Sequence, residues 1–112
     1  MKKLGSVVEV KPEFVDKYKD LHANVWPEVL EVIKKSNIQN YSIFLKELPG
    51  HGIYLFSYFE YTGTDYKFDM AQIAAAPITQ EWWEECKPCL RPLKGVSIEE
   101  CWAGMEQVFE LR

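Results

Sequence analysis

Apolar positions along the chain fall into runs of period two and runs of period three to four. Residues 3–10 (KLGSVVEV) are rich in Val and read as a strand. Pro12 suits the first turn of a helix. From there Phe14, Val15, Tyr18, Leu21, His22 and Val25 recur at spacings of three and four. Pro27 interrupts that rhythm: it cannot donate to the carbonyl of Ala23, and its ring disfavours helical geometry at Trp26. A kink or break is therefore predicted near residues 23–26. Val29, Leu30 and Ile33 then carry a second helical segment to Lys34 and Lys35, a basic last turn that suits the helix dipole.

Residues 38–47 (IQNYSIFLKE) predict a second strand. One face would hold Ile38, Asn40, Ser42 and Phe44, the other Gln39, Tyr41, Ile43 and Leu45. The turn residues LPGHG (48–52) predict a hairpin to a third strand, IYLFSYFEY, 53–61. Asp65 is a suitable N-cap for a helix running through Phe68, Ile73 and Ala74 until Pro77 ends it. Thr79 would cap a further short helix, QEWWEEC, up to Pro88. Residues 90–100 look irregular, and MEQVFEL (105–111) reads as a last strand. Strand, helix, strand, strand, helices, strand is the ferredoxin-like βαββαβ order of the α+β class. All helices would then lie on one side of an antiparallel sheet. The aromatic residues of the middle strands argue that a second subunit covers the other side, packing sheet to sheet.

Composition narrows the function classes. At 112 residues the chain is one domain, 1–112, within the usual range of roughly 100–150. Apolar residues make up 47%, ordinary for a globular protein. Thirteen basic against 17 acidic residues give a net charge of −4. With no basic run, nucleic acid is not an expected partner. No apolar stretch is long enough to span a membrane, and no apolar signal region follows Met1, so a cytoplasmic protein is expected. Cys86, Cys89 and Cys101 are odd in number, which argues against a disulfide framework.

Candidate chemistry concentrates on rings. Tyr18, His22 and Trp26 are four residues apart, the spacing of one helix face. Histidine titrates near neutrality and can give or take a proton without large tuning. In the last turn before the break, the helix dipole would favour its protonated form. Tyr18 and Tyr41 offer hydroxyls, and Trp26 a flat apolar surface. On spacing alone, a half-buried His with aromatic core filler is the commoner meaning of such a face. Adjacent residues Trp82 and Trp83 point about 100° apart on a helix, so only one can face the core squarely. The other would line a groove, a partner or solvent. Cys86-Lys87-Pro88-Cys89 has the spacing of a redox pair or half a zinc site. It lies at the wrong end of a helix for a low thiol pKa, and standard-spaced further ligands are lacking, so no metal is expected. Glu81, Glu84 and Glu85 read as a solvated face, and His51 as a turn residue.

Together, Tyr-x-x-x-His in YKDLH, Trp-Pro-Glu in WPEVL, NYSIFL, the Trp pair in EWWEE and MEQVFEL give the chain a resemblance to the L-rhamnose mutarotase family over nearly its whole length. The resemblance implies a ferredoxin-like subunit pairing into a homodimer of the dimeric α+β barrel kind. It implies a cofactor-free isomerase acting on the anomeric carbon of a 6-deoxy-hexose, with His22 as proton donor. Tyr18, Tyr41, Trp82 and Trp83 would contact the sugar, and Trp26 joins them from the helix-face pattern. LPGHG, TGTDYKFDMAQIAAAP and residues 90–101 depart from the family pattern and leave several sugars open, L-rhamnose and L-fucose among them. A cofactor-free monooxygenase of the same barrel type, or a small sugar-binding module, are the competing readings.

Overall fold

The computed structural model describes residues 1–112. Strand β1 (Lys2–Val10) leads through a single 3-10 turn at Pro12–Phe14 into helix α1 (Val15–Ala23). Pro27 acts as expected. The chain leaves α1 at Asn24, and Trp26 is extended at φ −59° and ψ 129°, as the residue before a proline must be. Helix α2 (Pro27–Lys35) then starts with Pro at its first position. Trp26 therefore stands in the joint between two helices and does not extend the face of Tyr18 and His22.

Strands β2 (Ile38–Leu48) and β3 (Gly52–Tyr61) form the expected hairpin. Helices α3 (Tyr66–Ala75) and α4 (Pro77–Cys86) follow. Asp65 caps α3, its carboxylate accepting the Phe68 N–H at 3.1 Å. Thr79 does not cap α4. Pro77 holds Ala76 extended, so Ala76 alone joins the two helices, and Thr79 lies inside α4, buried.

The sheet is antiparallel, in the order β2-β3-β1-β4, with β5 also on β1. β4 (Leu90–Arg91) and β5 (Ala103–Met105) share the edge of β1 away from β3. This is the ferredoxin-like order, with its last strand split. The predicted strand over 105–111 is confined to β5 for a geometric reason. Gly5 faces Met105, so only Leu4, Lys3 and Lys2 remain of β1 to pair with anything later. The tail instead leaves the ladder and is tied back by a Lys3–Glu110 ion pair at 2.9 Å.

The core sits between the sheet and the helices. Val8, Val10, Leu55, Tyr18, Val29, Trp82 and the three cysteines form it. Only 15 of 112 residues are buried, because the opposite face of the sheet carries no helix. Across that face one cross-strand row runs Phe44, Phe56, Val7, Ala103; Phe44 is 64% exposed.

β2 departs from strict alternation. Gln39 faces Glu60 and Ser42 faces Tyr58, so Asn40 and Tyr41 together oppose Phe59. This is a β-bulge. Asn40 takes the left-handed conformation at φ 50°, which Asn tolerates better than most residues. Ile38, expected on the face of Phe44, is consequently buried on the helix side with its partner Tyr61.

Candidate active site

The sequence reaches its candidate site from three directions. α1 presents Tyr18 and His22, the helix joint presents Trp26, and α4 presents Trp82. The Tyr18 and His22 rings stack, centroids 4.1 Å apart and planes 21° apart. Trp82 meets His22 edge-on at 5.3 Å and Trp26 at 5.0 Å. The imidazole is thus held between a phenol and an indole.

His22 Nδ1 lies 3.0 Å from the carbonyl oxygen of Tyr18, one turn back in α1. A carbonyl can only accept, so Nδ1 carries the proton and donates it. The lone pair then sits on Nε2, which has no hydrogen-bond partner within the protein. Burial lowers the His22 pKa from its ordinary value near 6.5, and the bond to the Tyr18 carbonyl opposes that shift only in part. Desolvation outweighs that bond: the resting imidazole at neutral pH is uncharged.

Tyr18 is buried, yet its hydroxyl makes no hydrogen bond to protein. Burial, aided by Tyr41 and the three cysteines, pushes its pKa far above the usual tyrosine value. Tyr41 is delivered by the bulge to the helix side of the sheet, its ring 5.2 Å from Phe59. It remains 44% exposed. Desolvation, with smaller contributions from Cys86 and Tyr66, raises its pKa to about 12. Both phenols stay protonated at neutral pH.

The tryptophan pair divides as helix geometry requires. Trp82 is buried in the core and edges the histidine. Trp83 is half-buried and makes no ring contact with His22; Lys87 Nζ sits 4.6 Å over its face. Phe59 and Tyr66 were not anticipated. The signal for Phe59 was its place in the β3 alternation with Leu55, Ser57 and Tyr61. The cysteines are all free and buried, and burial pushes the Cys86 thiol up to about 12, so it holds no reactive thiolate. No three His, Cys, Asp or Glu side chains converge in a metal-binding group. Two cavities of about 470 and 310 Å³ lie elsewhere, one beneath the C-terminal tail and one beside Cys101. No helix is long and apolar enough to cross a membrane.

The sequence profile of L-rhamnose mutarotase matches residues 3–111. The chain belongs to the L-rhamnose mutarotase family. Among family members, the L-rhamnose mutarotase of Oceanobacillus iheyensis is 34% identical over 91 residues, covering 81% of this chain and 82% of that one. That of Bacillus subtilis strain 168 is 31% identical over the same shares. The crystal structure of an L-rhamnose mutarotase from Formosa agariphila superposes over the full length of both chains with a TM-score of 0.75, at 20% identity. Tetracenomycin F2 cyclase of Streptomyces glaucescens, a type-II polyketide cyclase, superposes at 0.66 with 13% identity, again over both full chains. Those two likenesses establish the α+β fold, and the family match separates this chain from the monooxygenase reading.

Proposed function

We propose that this protein is an aldose mutarotase interconverting the α and β anomers of L-rhamnose or a related 6-deoxy-hexose. One observation carries the reading: an imidazole locked at Nδ1, uncharged at rest, with Nε2 unpartnered between a phenol and an indole. Membership of the mutarotase family supports it.

Mutarotation breaks the C1–O5 bond of a cyclic hemiacetal and reforms it on the other face of C1. Nε2 of His22 takes the proton of the anomeric hydroxyl as C1–O5 opens to the aldehyde and the O5 alkoxide. The imidazolium so formed gives that proton to O5. This is the donor role expected of His22, taken in the second half of the opening. The aldehyde turns about C1–C2 and closure runs the two transfers backwards, leaving no net change in protonation. O1 and O5 are bonded to the same carbon, so one nitrogen can serve both. Positioned acid–base help of this kind contributes typically 10²–10⁴-fold.

Tyr18 and Tyr41, protonated throughout, hydrogen-bond sugar hydroxyls. Trp82, Trp26 and Trp83 offer apolar faces to the C–H side of the ring and its C6 methyl. We further propose a cytoplasmic homodimer. The aromatic outer sheet face supports the pairing, and three free thiols fit a reducing compartment.

Exchange NMR on equilibrating L-rhamnose tests the central claim. The wild type should speed anomer exchange, and His22→Ala should lose most of that acceleration while keeping its melting transition. Undiminished exchange in a folded His22→Ala protein would remove His22 from the mechanism.

A further inference from the structure

A second concave region lies on the other side of the core that backs the rings: Leu90 and Cys101, on its wall, belong to the same buried cluster as Tyr18 and Trp82. The end of β1, the 3-10 turn Lys87–Cys89 and β4 converge there, tied by the Lys11 N–H donated to the Cys89 carbonyl at 2.8 Å. Together with Ile98, 77% exposed, and Cys101 they border an open cleft of about 310 Å³ lined by Lys11, Lys87, Arg91, Leu90, Ile98, Cys101 and Pro92. That volume is at the small end of the range for ligand sites, roughly 300–1,000 Å³.

Its charge is lopsided. Three cations line it and no carboxylate does, in a protein whose net charge is −4. Arg91 is already paired, its guanidinium 3.0 Å from Glu9. Lys11 and Lys87 have no ion-pair partner. They rest over aromatic faces instead, Lys11 at 5.8 Å from the Phe14 centroid and Lys87 at 4.6 Å from that of Trp83. Glu85, whose charge reaches Cys89, does not line the cavity. Two ammonium groups with no carboxylate among the lining residues give the cavity a positive potential that attracts an anion. The rest of the lining is apolar: buried Leu90 and Cys101, with Pro92 and Ile98. Cys101 also holds a left-handed backbone, φ 61°, uncommon for a residue with a side chain and typical of backbone held under constraint.

We propose that this cavity binds a small organic phosphate monoester, its phosphate facing Lys11 and Lys87 and its carbon skeleton lying against Leu90 and Ile98. A monoester carries about −1.5 to −2 at pH 7 and so matches two ammonium charges, where a carboxylate would balance only one. Lysine is a common point-charge binder of phosphate. Its lining includes none of Tyr18, His22, Trp26 and Trp82, and the proposal does not depend on the mutarotase reading.

Titration with glycerol 3-phosphate, inorganic phosphate and glycerol, followed by backbone amide NMR, tests it. Glycerol 3-phosphate should give saturable shifts centred on residues 87–91 and 98–101, inorganic phosphate weaker ones at the same amides, and glycerol none. The double variant Lys11→Gln/Lys87→Gln should bind the ester about tenfold or more weakly, ~1.4 kcal/mol per decade, with its melting temperature unchanged. Lys87→Arg should retain binding. Absence of saturable shifts, or equal binding by the double variant, would overturn the site. Inorganic phosphate binding as tightly as the ester would overturn the ester assignment.

Discussion

His22 shows two effects of opposite sign meeting on one side chain. Its bond to the Tyr18 carbonyl favours the cation, and its burial favours the neutral ring. Burial wins. The first effect is local to one turn of α1. The second depends on Trp82, some 60 residues later in the chain, closing over the imidazole. The consequence for pH has a definite sign. The acceleration of anomer exchange should be flat through neutral pH and fall on acidification, with a midpoint below the ordinary histidine value near 6.5. Stability should follow in the same direction. Between the lowered folded pKa and about 6.5, the unfolded chain binds more protons than the folded one. The free energy of unfolding therefore rises with pH in that window and falls as pH drops through it. An exchange-rate profile and denaturant melts across that range check both. The tryptophans separate by the same reasoning. Trp82 is core, so Trp82→Ala should cost roughly 3–5 kcal/mol of stability and is a poor test of binding. Trp83→Ala should weaken sugar binding with a much smaller fall in melting temperature, read by sugar titration and thermal denaturation of both variants. Unaltered affinity in Trp83→Ala would assign that ring to packing.

At the level of elements, the helices were largely legible because their ends are written in local chemistry. Pro27 separates α1 from α2, Asp65 caps α3, and Pro77 divides α3 from α4. Thr79 misled because Pro77 already supplies a helix start, two residues earlier. The first three strands were legible, but the last was expected as one strand over 105–111 and is instead split into β4 (Leu90–Arg91), in a stretch expected to be irregular, and β5 (Ala103–Met105). The bulge at Asn40 and Tyr41 is marked only by a single Asn inside an otherwise strand-like run, and β4 is only two residues long. Yet the bulge decides the site, since it brings Tyr41 to the helix side. Its outer flank is fastened by Glu60, which accepts hydrogen bonds from Asn40 at 2.8 Å, Gln39 at 3.0 Å and Tyr58 at 2.7 Å. A second fastening holds α3 to the sheet: the Tyr61 hydroxyl donates to Asp69 and accepts the Asp65 N–H at 3.1 Å, while Asn37 donates to Asp69 at 3.0 Å. Asp65→Ala should remove the helix cap, costing about 1 kcal/mol. For a domain of this size that lowers the melting temperature by on the order of 4–8 °C. Anomer exchange at 25 °C should be unaltered, because Asp65 touches none of the rings around His22.

For the whole molecule, the unequal faces of the sheet govern behaviour. One is roofed by four helices; the other shows Phe44, Phe56, Val7 and Ala103 in a row. That row was foreseeable from the aromatic content of β2 and β3, whereas the tail lying beside it was not. Phe44→Asp places a charge in the proposed sheet-to-sheet contact. It should convert a dimer of twice the 13.1 kDa chain mass to monomer, since burying a Phe is worth roughly 1.5–3 kcal/mol and the change occurs on both subunits. Light scattering after size exclusion reads the result; an unshifted mass would place the contact elsewhere. The bulge in β2 has one more effect, at the rim of the sheet. β2 is the outermost strand and is 11 residues long, a ready template for another chain to extend into fibrils. A kinked, partly charged strand, carrying Lys46 and Glu47, is a poor template. Deleting Asn40 would straighten it, so the same irregularity that aims Tyr41 also guards the protein against aggregation.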